Sequence, residues 1–186
     1  MDHFPTLYTE RLILRKMTVD DIPSLLKHVN NRAITDQIIN FPYPYQEPQA
    51  VFRMSYVHRG FKKGERFVFA ITLKEKKELI GEISLHLDKA QPIAEVGYWV
   101  GEPFWNQGIV TEALKRLLSF GFEVVGLDLI FATYSKENIA SGKVLLKNGM
   151  QIVSPGQYHP TIHTPTQKVV SYQLTKEEYH KTNSAS

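Results

Sequence analysis

The chain has 186 residues, of which 42% are hydrophobic and 22% charged, with 22 Lys and Arg set against 19 Asp and Glu. That length and composition suit one folded domain with its own core, and they exclude wholesale disorder. Cysteine is absent, which excludes a disulfide scaffold, a thiol nucleophile, an iron–sulfur cluster and any thiolate zinc site.

The opening MDHFPTLYTER lacks a charged-then-apolar signal pattern, and no apolar run approaches the roughly 20 residues that span a bilayer. A cytoplasmic setting without membrane contact is expected. Residues 7–17 alternate as a strand. Thr18 then caps a helix, with Asp21 three residues on, and Ile22, Leu25, Leu26 and Val29 form its apolar stripe. Three prolines in 41–48 break helical structure. A second helix is predicted after Glu47-Pro48, reaching about Gly60. Strands at 66–73, 78–88 and 93–101 read as an antiparallel meander. The densest basic stretch, Lys74 to Glu78, alternates in sign and falls in a turn of that meander, so no nucleic-acid partner is indicated.

Residues 110–125 form the clearest helix, with Val110, Leu114, Leu117, Leu118 and Val125 on one face and Glu112, Lys115, Arg116 and Glu123 on the other. Gly126 is a natural stop. A strand at 128–134, a helix from about Asn138 to Asn148 and a β pair at 150–158 and 167–174 follow. Residues 1–181 are taken as one domain, with 182–186 as a frayed polar tail. Strands and helices mixed in this order predict an α+β domain: one mixed, mostly antiparallel sheet of about seven strands, covered by helices.

The chemistry concentrates in 95–111. A strand ends at Val100-Gly101, and a short loop carrying Pro103 and Gly108 feeds straight into the amphipathic helix. A helix start offers unpaired N–H groups and the positive end of the helix dipole, and so suits an anion, phosphate above all. Gly108 allows close backbone approach, and Thr111 adds a hydroxyl. An ordinary strand-to-helix turn explains the same residues. The Gly-Lys-Ser/Thr of a Walker loop and the Gly-x-Gly-x-x-Gly of a dinucleotide site are both absent.

The segment Trp105-Asn106-Gln107-Gly108-Ile109-Val110 resembles motif A of the GNAT superfamily of acetyl-CoA-dependent N-acetyltransferases, with Gly108 as its strict match. The opening TERLILRKMTVDDIPSLL, the stretch EVGYWV with PFWNQGIVTEAL, and ENIASGKVLLKNGM resemble, in the right order, the branch of ribosomal-protein N-terminal acetyltransferases. The resemblance implies a cleft where the fourth and fifth strands, 93–101 and 128–134, splay apart to admit acetyl-CoA. The backbone of Tyr98 and Val100 would pair with the pantetheine arm. The amides of 105–110 would hold the pyrophosphate, with Thr111 nearby.

The resemblance also implies direct transfer of the acetyl group to a primary amine through a tetrahedral intermediate. The acceptor would be a protein N-terminus, or a small amine such as a polyamine, amino acid or aminoglycoside. A non-catalytic acyl-CoA sensor is the alternative on the same fold. An amine is protonated at neutral pH and needs a base. Glu95, on the cleft strand, is the candidate, with Glu82 as substitute. The tyrosine that many relatives use as acid would fall at Leu145, which cannot serve. Ser141, three residues after Asn138, takes that role in the ribosomal-protein branch, and both would address the sulfur end. Tyr134 or water could replace Ser141. A backbone N–H near Val100 would hold the oxyanion. Phe41, Tyr43 and Tyr45 would border the acceptor pocket. No metal is expected: His159 and His163 flank Pro160 in a loop without helical ligand spacing. A monomer or a homodimer fits equally.

Overall fold

A computed structural model describes residues 3–38, 41–153 and 169–184. The chain opens with a hairpin, β1 (Leu7–Tyr8) and β2 (Leu12–Lys16). The helices α1 (Ile22–Val29), α2 (Arg32–Thr35) and α3 (Glu47–Lys62) come next. The meander follows: β3 (Arg66–Leu73), β4 (Leu79–Leu87) and β5 (Ile93–Val100). Then come α4 (Ile109–Ser119), β6 (Leu129–Ser135), α5 (Ile139–Lys147), β7 (Gln151–Ile152), β8 (Val169–Thr175) and α6 (Lys176–Ser184).

Together they make one sheet of eight strands in the order β1-β2-β3-β4-β5-β6-β8-β7, with β5 and β6 as its parallel pair. The count is eight rather than about seven because the predicted strand at 7–17 folds back on itself. Tyr8 pairs with Ile13, and Thr9 N–H donates to the Leu12 carbonyl at 3.1 Å. A parallel neighbour cannot be reached by a tight turn, so α4 serves as the crossover between β5 and β6.

The sheet is buried on both faces, which explains why β3 reads as an almost unbroken apolar run. Phe67, Phe69 and Ile71 face a core shared with Ala113, Leu114 and Leu117 of α4. Val68 and Ala70 face the other way, into a core shared with Leu25 and Val29 of α1 and Met54 and Val57 of α3. Thr18 N–H donates to Asp21 at 2.8 Å, as the expected cap requires, and Arg15 holds the same carboxylate with two bonds of 2.7 Å. After Ser119 the helix widens into a π-helical turn, Phe120–Val125, which Gly126 ends at φ 81°. Nothing in the sequence announces α6, which takes in residues 182–184. Residues 154–168, which include His159 and His163, lie outside the described residues.

Candidate active site

The strands β5 and β6 are paired only where Ile93–Glu95 meet Leu129–Phe131; beyond that they part. Gly101 N–H donates to the Ile80 carbonyl at 2.8 Å, and Asp88 N–H to the Ile93 carbonyl at 3.0 Å. Antiparallel pairing alternates, so the odd-numbered residues of β5 bond to β4. The backbone groups of Val96, Tyr98 and Val100 therefore point to the gap. The Val100 carbonyl is met by the Trp105 indole N–H at 2.8 Å. Tyr98 N–H and C=O and Val100 N–H form the open strand edge. This edge lies in a cleft of about 1920 Å³ that runs from α4 and α5 on one face to α3 on the other.

At one end of the cleft stands the start of α4. Its first bond runs from Glu112 N–H to the Gly108 carbonyl at 3.0 Å, so the N–H groups of Ile109, Val110 and Thr111 precede the helical ladder. Gly108 sits at φ 74°, where a side chain is strained. Space is not its reason, since an added Cβ would come no nearer to other groups than 3.6 Å, from Arg11 Nη2. Trp105, Asn106, Gly108, Ile109, Val110 and Thr111 all line the cleft. Gln107 stands behind this wall. Its side chain donates to the Pro103 carbonyl at 2.7 Å, and its own carbonyl accepts from Arg11 at 3.0 Å.

The opposite wall is the start of α5. Asn138 caps this helix, its side-chain oxygen accepting from Ser141 N–H at 3.1 Å. The Ser141 carbonyl accepts from the Tyr98 hydroxyl, also at 3.1 Å. Asn138, Ser141 and Leu145 all line the cleft, Leu145 from a position fully buried in the core. Tyr134 rises from β6 beside them and stacks on Tyr172 with ring centres 5.8 Å apart. Gly142 makes room for it, since a Cβ there would collide with the Tyr134 hydroxyl. Burial, together with the bond to Tyr172, pushes the Tyr134 phenol up to about 12. Burial also drives Tyr98 well above the ordinary range. Both phenols keep their protons at neutral pH.

On the α3 face, Glu82, Ser84 and His86 of β4 lie beside Glu95, Gly97 and Trp99 of β5, all of them lining the cleft. Glu95 is half-buried and stands opposite His86. Glu82 is buried and already committed: Arg53 Nε donates to both of its oxygens at 3.0 Å, and Arg53 Nη2 donates as well. The same guanidinium lies over the Phe41 ring, 4.6 Å from its centre. Phe41 and Tyr45 line this end; Tyr43 does not, and its ring carries the Arg32 guanidinium at 4.6 Å. Burial raises Tyr45 to about 12. Among the described residues no three His, Asp or Glu side chains gather as a metal site requires.

Several residues of this region escape sequence reasoning. Arg53 is a polar residue on a helix until its partner 29 residues away is known. Glu112 looks like an ordinary solvent-facing position of an amphipathic helix. In the fold it accepts from the Thr9 hydroxyl at 2.6 Å, from Arg11 N–H at 2.8 Å and from Arg11 Nε at 2.6 Å. Partial burial works against its charge, but these donors win and hold its carboxyl below the ordinary range. The TER of the opening stretch was the signal available for this contact.

Residues 11–151 match the family model of the acetyltransferase (GNAT) domain. Among curated proteins, an uncharacterized N-acetyltransferase, p20 of Bacillus licheniformis, is 33% identical over 141 residues, covering 75% of this chain and 79% of that protein. The ribosomal-protein-serine acetyltransferase of Escherichia coli strain K12 is 33% identical over 148 residues, covering 76% and 79%. Among solved structures, Mycobacterium smegmatis RimJ in complex with CoA-disulfide superposes with a TM-score of 0.80 at 20% identity, covering 98% of this chain and 95% of that one. The chain belongs to the GNAT acetyltransferase family. It is an acetyl-CoA-dependent N-acetyltransferase, similar to the ribosomal-protein acetyltransferases. The open edge of β5 and the N–H groups at the start of α4 suit an amide-bearing arm and its pyrophosphate.

Proposed function

We propose that this enzyme acetylates the α-amine of a protein N-terminus, with the amine entering from the α3 face and the thioester from the α4–α5 face. The observation that carries this reading is the position of Glu95. It lies on the α3 side of the very strand whose other edge is open to the cofactor. Glu95 takes the proton of the incoming ammonium. The amine nitrogen then bonds to the acetyl carbon to give a tetrahedral intermediate, whose oxygen the Val100 N–H steadies, and the C–S bond breaks as that intermediate collapses. The departing sulfur takes a proton from Ser141, which the surplus proton on the new amide replaces. Glu82 is unsuited to the base role because Arg53 occupies its carboxylate.

The backbone of Tyr98 holds the arm of the cofactor, the amides from Trp105 to Val110 surround its pyrophosphate with Thr111 beside them, and Asn138 sets the Ser141 wall. Phe41 and Tyr45 bound the acceptor end; Tyr43 is not placed on it. The E. coli relative, by its name, modifies serine of a ribosomal protein, which favours a protein terminus. A wide cleft edge with exposed Phe52 on its rim also favours a chain end over a compact amine. Thiol release from acetyl-CoA against a panel of amines tests this. Peptides with free N-terminal Ser or Ala should support turnover, and N-blocked copies should not. Turnover only with polyamines, amino acids or aminoglycosides would overturn the acceptor; thiol release with none would favour a sensor.

A further inference from the structure

The turn that opens α4 is an uncommon one. Asn106 lies at φ 59° and Gly108 at φ 74°, so two left-handed residues flank Gln107. Left-handed backbone is unfavourable for a residue with a side chain, and such a turn holds its shape only when its surroundings fix it. Two ties do so. The Gln107 side chain reaches back to the Pro103 carbonyl at 2.7 Å, and the Gln107 carbonyl is held by Arg11 Nη1 at 3.0 Å. Arg11 comes from the distant β1–β2 turn. Its Nε and its backbone N–H both bond Glu112, and the Thr9 hydroxyl joins them there. One guanidinium thus grips the turn and the first turn of α4 at once. It also neutralises an acidic side chain that would repel a phosphate bound at the same helix end.

We infer that Arg11 is a positioning residue for the cofactor's phosphates: its fork, braced on Glu112, sets the Asn106–Gly108 turn so that the N–H groups that follow face the cleft. This rests on reading that turn as the pyrophosphate site. A lysine keeps the charge but cannot hold the Glu112 carboxylate and the Gln107 carbonyl in one rigid plane. Arg11→Lys and Arg11→Ala should therefore both raise the KM for acetyl-CoA, Ala by tenfold or more and Lys by severalfold. The kcat at saturating acetyl-CoA should stay within twofold of the parent. The decisive comparison uses acetyl-pantetheine, which presents the same thioester and no phosphates. Its KM should move less than twofold in either variant.

A loss of folding would reduce both donors alike and lower the active fraction, and circular dichroism of Arg11→Lys, the milder variant, checks for it. Equal losses with acetyl-CoA and acetyl-pantetheine, or an unchanged KM for acetyl-CoA in folded Arg11→Lys, would overturn the inference. The parent protein separates this from the underlying reading. If it binds CoA no more tightly than pantetheine in a calorimetric titration, the turn holds no pyrophosphate and both fall. If it prefers CoA and the variants keep that preference, the role of Arg11 alone fails.

Discussion

The Tyr98 hydroxyl donates to the Ser141 carbonyl across 3.1 Å, joining the strand with the open edge and the helix that carries the candidate acid. Both walls of the cleft are held at a set spacing by this bond. Tyr98→Phe keeps the ring and removes the donor, while the carbonyl keeps its bond within α5. The expected cost is about 0.5–1.5 kcal/mol of stability, together with a kcat lowered severalfold as Ser141 loses its fixed position. Chemical denaturation and steady-state kinetics at saturating acetyl-CoA measure the two.

Gly108→Ala separates backbone conformation from steric room. Nothing within 3.6 Å blocks the new methyl, yet φ is 74°. The variant should lose about 1–2 kcal/mol, the usual cost of a left-handed residue with a Cβ. Its affinity for CoA should fall because the turn relaxes. A melting curve with and without CoA reports both, and the shift on adding CoA should shrink.

The two glutamates on the α3 face should behave differently. Glu82→Gln removes the charge that pairs with Arg53 and one of the two oxygens it bonds, so its main effect should be on stability, about 1–3 kcal/mol. Glu95→Gln should act on the rate, through the pH at which the amine reacts.

The Glu112 carboxyl titrates below its ordinary range in the folded chain. The unfolded chain therefore takes up its proton first as the pH falls. The cluster's contribution is present in full above the ordinary carboxylate range and is lost as the pH drops through the depressed folded value. Glu112→Gln should destabilise by about 1–2 kcal/mol at neutral pH, a figure kept small because Arg11 is part-exposed. The gap to the parent should narrow in acid. Urea denaturation at several pH values tests the sign.

The strand–loop–helix from Glu95 to Val125 was legible because each part is marked locally: alternation in the strand, Gly108 at the turn, a stripe of Leu and Val on the helix, Gly126 at its end. The β1–β2 turn was not, since Thr9-Glu10-Arg11 contains no Gly or Pro and the alternation runs on through it. A four-residue helix such as α2 leaves no period to detect, and α6 is too polar to show a stripe. The site divides in the same way. Gly108, Asn138 and Ser141 sit where their neighbours in sequence set them. Arg53 and Glu112 acquire their partners only through the fold, and Tyr43, close in sequence to Phe41 and Tyr45, faces Arg32 instead.

Ser141→Ala should lower kcat with little change in the KM for acetyl-CoA, because a proton donor acts as the thiolate departs. General-acid loss is worth about 10²–10⁴-fold, the low end being expected for a thiolate. Tyr134→Phe is the control. Its hydroxyl is tied to Tyr172 and held up at about 12, and a larger loss there than in Ser141→Ala would move the acid to Tyr134.

The most direct test of amine activation by Glu95 is the pH dependence of kcat/KM for a peptide with a free N-terminus, in the parent and in Glu95→Gln. A terminal amine has a pKa near 8, so at pH 6 to 7 it needs a base to react. The parent should retain activity in that range. Glu95→Gln should lose about tenfold for each pH unit below the amine pKa and approach the parent above it. A constant ratio of the two rates across the whole range, or no difference at any pH, would contradict the account.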